Sequence, residues 1–232
     1  TVKAFCLAFD TKLGLYDLKP VQSATAKKVS EFVSQEPGIV FGGINGGFFG
    51  GNSSYSLVKY NNQQSSVNIK SVNRTYNGTS AAYFPTRAAF GIRSNGSPTT
   101  AWIYHVGTGN DNIYSYQTPS PNAEGSAPQP VPTENFPSGG TAWAMPTAIG
   151  GSPMLLKDGQ VNISDVAELI NINNTTSRPR SAIGHTSNGI VLLLAVEGDN
   201  AVAGYPGVNL AGLANMLLRL GCSDAINLDG GG

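Results

Sequence analysis

The sequence is short of charge. It carries 14 lysines and arginines and 14 aspartates and glutamates, so charged residues make up only 12% of the 232 and the formal net charge is zero, against roughly 25% charged residues in an average domain. A chain this neutral is neither a basic nucleic-acid binder nor an acidic disordered tail. Cysteine and histidine are equally scarce, at two each. Cys6 and Cys222 match no zinc-ligand spacing and cannot build a disulfide framework; they read either as two buried thiols or as one long-range disulfide. No stretch approaches the ~18 consecutive apolar residues of a membrane helix, and the segment from Thr1 lacks the zones of a signal peptide. The chain therefore reads as a mature, soluble portion with no membrane span. Also missing are the phosphate loop Gly-x-x-x-x-Gly-Lys, the Gly-x-Ser-x-Gly elbow and the His-Glu-x-x-His pair, which removes the nucleotide and zinc-hydrolase classes.

What the sequence has in excess is glycine, 29 residues of 232, with 14 prolines beside it; an average chain holds roughly 7% glycine. Turns must be frequent. Low charge and several Asn-x-Ser/Thr sites, at Asn52, Asn73 and Asn162, suit an extracytoplasmic setting.

Periodicity predicts a buried strand over 2–9, a helix over 23–35 stopped by Pro37-Gly38, and a strand over 39–44. Residues 116–140 are rich in Pro, Ser, Asn and Gly and read as a long loop, either a wall of a site or a disordered excursion. The segment 87–96 matches 180–189 at six of ten positions. Each copy is a short strand, a Ser-Asn-Gly turn and a second apolar run, the signature of a β-hairpin and a pseudo-repeat. Near the end, Asn209 caps a helix with a Leu210, Leu213, Leu217 and Leu220 stripe, Gly221 closes it, and a buried strand over 225–228 follows. The fold class expected is α+β: one domain over 1–232, with a mostly antiparallel or mixed sheet core and helices packed on its faces.

Four strand ends place a polar residue among glycines: Asn45-Gly-Gly, Arg180 before Ser-Ala-Ile-Gly, Glu197-Gly198, and Asp229-Gly-Gly-Gly. Glycine there lets backbone N–H groups approach a ligand's oxygen atoms. Asp229 and Glu197 are the candidate catalytic carboxylates, and Arg180 suits a phosphate or carboxylate. Arg87 holds the equivalent place in the first hairpin; it and Arg180 could instead be buried arginines holding carbonyls. His185 and Asp199 are weaker candidates. A polar, weakly charged pocket of this kind favours a carbohydrate or phosphosugar. No cofactor is expected. A divalent cation stays open, although two carboxylates fall well short of the 6–8 oxygens calcium takes.

Four blocks then align in order with one family. Ile44-Asn-Gly-Gly-Phe-Phe49, Gly150-Gly-Ser-Pro-Met-Leu-Leu-Lys-Asp-Gly159, Arg178-Pro-Arg-Ser-Ala-Ile-Gly184, and the stretch from Gly221 through Asn227-Leu-Asp-Gly-Gly-Gly232 resemble the phosphodiester glycosidases. The resemblance implies hydrolysis of a sugar-1-phosphodiester, N-acetylglucosamine-1-phosphodiester foremost, to free sugar and phosphomonoester. It carries substrate binding onto Asn45, Gly46, Gly47, Arg180, Asn227, Gly230 and Gly231. On that basis Arg180 and the N–H groups of Gly46 and Gly47 face the phosphate, while Asp229 and Glu197 act as the carboxylate pair. One departure stands out: the family's Asp-Gly-Arg turn is Glu197-Gly198-Asp199 here, an acid in place of arginine. The competing expectations are a non-catalytic glycan-binding relative and a hydrolase of another envelope sugar-phosphate linkage.

Overall fold

Alternating apolar residues and closely spaced Gly and Asn turns produce many short antiparallel strands. The computed structural model describes residues 1–230, of which strands dominate, at 35% of the chain against 7% helix. A six-stranded sheet runs in the order Ala4–Asp10, Ile190–Val196, Arg180–Thr186, Cys222–Leu228, Met154–Lys157, Gln160–Val161. A seven-stranded sheet runs Thr141–Ala142, Ile113–Tyr116, Pro98–His105, Arg87–Ile92, Thr147–Gly150, Val58–Tyr60, Gln63–Ser66. The two sheets curl into a half-barrel.

This overturns the α+β expectation of helices packed on the sheet faces. Among the described residues there are two helices, Val29–Gln35 and Leu210–Arg219. The first keeps only seven residues of the 23–35 pattern and buries none of them, so it forms no layer. Only the second reaches a sheet: Leu210, Leu213, Ala214 and Leu217 pack on Leu155, Ala182, Leu194 and Ala225. Its N-cap is as expected, with the Asn209 side chain accepting from Gly212 N at 2.8 Å. The stripe is shorter than expected, because Leu220 falls on the C-cap and stands exposed. The strand predicted over 39–44 joins no sheet, and Ile39 and Phe41 are exposed.

The Leu192-Leu193-Leu194 run is apolar throughout because both faces of its sheet are covered. Ala182 and Leu194 are register partners and face the helix, whereas Ile183 and Leu193, one residue along, face the other sheet. There they meet Phe90, Trp102 and Ile149. Both expected hairpins form, one in each sheet. Their Asn-Gly turns place Gly96 and Gly189 at φ of 79° and 89°, a region that only glycine enters cheaply.

Residues 117–140 form no helix or strand, yet the segment is tied down. Ser120 N donates to Thr86 Oγ1 at 2.9 Å, Tyr116 Oη to Thr133 O at 2.9 Å, and Tyr83 Oη to Ser126 O. The cysteines fit neither of their two expected states: Cys222 is buried, Cys6 lies exposed on the edge strand, and both are free thiols.

One polar group crosses the core. Glu168 is fully buried, and its carboxylate accepts from Ala88 N (2.9 Å), Trp102 Nε1 (3.0 Å), Ser152 Oγ (2.7 Å), Met154 N (2.8 Å) and Ser164 Oγ (2.6 Å). Ala88 and Trp102 belong to one sheet and Met154 to the other. Substituting Glu168→Gln replaces one acceptor oxygen with an NH2 group. Either way round, that group faces a backbone N–H which cannot reverse its role. We expect a loss of about 3 kcal/mol in chemical denaturation, well above the roughly 0.5 kcal/mol typical of a surface substitution.

Candidate functional site

The first and last glycine blocks, distant in sequence, meet at one sheet end. Cys222–Leu228 ends at Asp229, whose backbone N–H donates to Gly46 O at 2.9 Å. Contact at this range demands glycine. A Cβ on Gly230 would lie 2.3 Å from Pro179 O, and one on Gly47 would lie 2.3 Å from Gly150 O. The four blocks that lie apart in the chain are thus packed backbone on backbone.

Beside them is a recess of about 170 Å³ lined by Phe48, Ile172, Arg178, Arg180, Asn227 and Asp229, with Gly230 at its wall. Asn227 is buried; its Nδ2 donates to Ser152 O at 2.9 Å, while Oδ1 has no partner among the described residues. Asp229 is half-buried. Arg178 is exposed and lies 3.8 Å from Asp199 across the Glu197-Gly198-Asp199 turn.

The Arg180 guanidinium is largely committed to backbone. Nε donates to Val208 O (3.2 Å), Nη1 to Ile172 O (3.4 Å), and Nη2 to Asn173 O (2.9 Å) and Thr176 O (3.3 Å). Burial, then the neighbouring Arg178 charge, hold its pKa below the ordinary value. Arg180 therefore shapes the recess wall, as a buried arginine holding carbonyls would.

Glu197 does not line the recess. Its Oε1 pairs with Lys3 Nζ at 2.8 Å, and its Oε2 is buried without a partner among the described residues. Asn45 and Gly46 precede the packed Gly47, Asn45 half-buried and Gly46 exposed. Gly231 lies outside the described residues. Arg87 lies in a second recess, of about 300 Å³, which shares Phe48 with the first. Arg178 and Phe48 lie within the family blocks, but the resemblance carries no role onto either. Asn68 and Arg74, in the second recess, lie in a stretch whose weak pattern points to no site, Arg74 falling only inside the Asn73-Arg74-Thr75 glycosylation pattern.

With these blocks brought together, the sequence match carries weight. A family model described as phosphodiester glycosidase matches residues 39–232. This chain belongs to the phosphodiester glycosidase family. No curated protein sequence matches it. Among solved structures, a hypothetical protein from Synechocystis superposes with a TM-score of 0.59 at 17% identity, covering 99% of this chain and 54% of that one. The zebrafish N-acetylglucosamine-1-phosphodiester α-N-acetylglucosaminidase catalytic domain, auto-inhibited by its pro-peptide, has a TM-score of 0.47 at 20% identity, covering 81% and 50%. The chain thus spans about half the length of these two structures.

Among the described residues no group of three or more His, Cys, Asp or Glu is placed to hold a metal ion, and no helix is long and apolar enough to cross a membrane. His185 sits at the far end of the Arg180–Thr186 strand from the family's arginine motif, about 17 Å away at the usual rise. Its neighbour is Asp224, which Lys157 bonds at 2.9 Å; His185 Nε2 lies 3.8 Å from the other carboxylate oxygen. Burial pushes the pKa of His185 down against the pull of Thr186 O and Asp224, and burial does the same at His105. For Asp224, burial acts upward, but Lys157 and His185 outweigh it and the net shift is down.

Both histidines therefore resist a proton that the unfolded chain accepts below its ordinary value of 6.5. Their stabilisation is complete above that value and is lost as pH falls towards the folded pKa; Asp224 adds a second loss below 3.8. We expect lower unfolding free energy at mildly acidic than at neutral pH, both imidazoles titrating below 6.5 by NMR, and a flatter acid limb in His185→Gln.

Proposed function

We propose that this chain hydrolyses a sugar-1-phosphodiester at the glycosidic bond, in the recess bounded by Phe48, Arg178, Asn227 and Asp229. The observation supporting it most directly is the Asp229 N–H to Gly46 O bond, which brings the family's two glycine motifs together beside a carboxylate, a cation and an amide oxygen without a partner among the described residues.

The chemistry asks little of a second carboxylate. Cleaving the C1–O bond releases a phosphomonoester whose second pKa is about 6, so it departs without protonation. What remains is to stabilise an oxocarbenium-like sugar and deliver the oxygen nucleophile. Asp229 serves as base or nucleophile at C1, Arg178 attracts the scissile phosphate, and Asn227 Oδ1 accepts from a sugar hydroxyl. Glu197, held by Lys3, contacts no reacting atom in this reading. The sugar to test first is N-acetylglucosamine, which the sequence resemblance implies. We place the activity outside the cytoplasm, in keeping with the low charge and the Asn-x-Ser/Thr sites.

Release of free sugar from an N-acetylglucosamine-1-phosphodiester should fall about 10³-fold in Asp229→Asn with the thermal midpoint little changed. Glu197→Gln should retain most turnover. Full activity in Asp229→Asn would remove that residue from the mechanism. Saturable binding without release by the unaltered protein would make it a glycan-binding member of the family.

A further inference from the structure

The second recess holds donors that the proposed hydrolysis does not use. Arg87 and Asn68 both line it, 7% and 3% exposed. Arg87 gives one bond to backbone, Nη2 to Leu169 O at 3.3 Å, and its Nε–H has no partner among the described residues. Asn68 commits its Oδ1 to Leu57 N at 2.7 Å and leaves Nδ2 buried, with no partner among the described residues. Arg74 closes the group, its Nη2 also donating to Leu169 O, at 2.9 Å.

Two guanidiniums thus converge on one carbonyl, with no carboxylate within ion-pair distance of either among the described residues. The acid that Arg87 senses is Glu168, whose oxygens already take five hydrogen bonds. Burial lowers the Arg87 pKa, and the charge of Arg74 lowers it further despite Glu168. The contrast with Arg180 is direct. Arg180 opens the equivalent strand of the other hairpin and gives four bonds to carbonyls; Arg87 gives one. Buried N–H groups normally find an acceptor, and a guanidinium edge is suited to oxyanions.

We infer that the recess between Arg74, Arg87 and Asn68 is an oxyanion subsite for a phosphoryl group. A phosphoryl group presents three oxygens to three donors that approach from separate elements, one more than a carboxylate supplies. At about 300 Å³ the recess takes such a group with a small part of the molecule bearing it. The subsite goes beyond the hydrolase reading, in which Arg178 attracts the scissile phosphate, and it needs no turnover. Because Phe48 lines both recesses, one ligand with a second phosphoryl group could occupy the two together.

The test is titration of the full chain with inorganic phosphate and, separately, with glycerol phosphate at low salt, followed by calorimetry and by the NMR signal of Arg87 Nε–H. Saturable movement of that signal at millimolar phosphate is expected, with the affinity read from that signal about tenfold weaker in Arg74→Gln. The tighter of the two probes shows whether the group arrives free or on a larger molecule; either result supports the subsite. Arg87→Lys, with folding checked by thermal unfolding, should weaken binding as well. If that variant does not fold, Arg74→Gln and the Arg87 signal still decide. A silent Arg87 signal, equal affinity in Arg74→Gln, or loss confined to Arg178→Gln would overturn the proposal. Because binding is read without turnover, an inactive but phosphate-binding protein would sink the hydrolase reading alone.

Discussion

The Glu168 carboxylate, fully buried between the two sheets, is the group on which the rest of the arrangement depends. An isolated buried charge costs several kcal/mol and persists only where hydrogen bonds compensate it. Here five donors drawn from both sheets and from the connecting Ser152 and Ser164 segments do so. The first recess hangs from the same point. Ser152, bonded to Glu168, exchanges backbone and side-chain bonds with Asn227 at 2.9 Å, two residues before Asp229 meets Gly46. The second recess hangs from it as well, because the next residue, Leu169, turns through a φ of 50° and presents its carbonyl to Arg74 and Arg87. That backbone region is costly for a leucine, by about 1–3 kcal/mol.

The two matching hairpins show how one short sequence pattern serves different ends. Each begins with a buried arginine and turns on Asn-Gly. In the six-stranded sheet, the chain at 172–176 and Val208 wraps the Arg180 guanidinium and makes it part of the wall. In the seven-stranded sheet a single carbonyl among the described residues reaches Arg87, and a cavity takes the remaining space. The difference lies in what the neighbouring segments offer, which no feature of the ten-residue pattern encodes.

The glycines have two separate uses. At Gly96 and Gly189 they permit a backbone conformation that hairpin turns require. At Gly47 and Gly230 they permit contact, since any side chain would enter a neighbouring carbonyl. Only the first use is local, and only it could be recognised from adjacent residues alone.

Both hairpins, the Asn209 cap and the 225–228 part of the Cys222–Leu228 strand were legible in the sequence because each rests on short-range spacing or turn chemistry, and the ordered blocks were legible through their resemblance to the family. The α+β expectation failed where helical periodicity was read without a surface to bury: Val29–Gln35 has none, so one helix reaches a sheet. Asp229 and Arg178 share a recess while Glu197 turns to Lys3 and His185 to Asp224. Those outcomes follow from strand register and from which end of a strand each residue occupies. Asn68, Arg74 and Glu168 belong to no candidate site motif, and their importance comes from neighbours distant in the chain. The sequence by itself determined the local elements and the family. The tertiary structure decided which polar groups share a cavity and which are spent on backbone, because burial and hydrogen-bond partners exist only once the two sheets have closed.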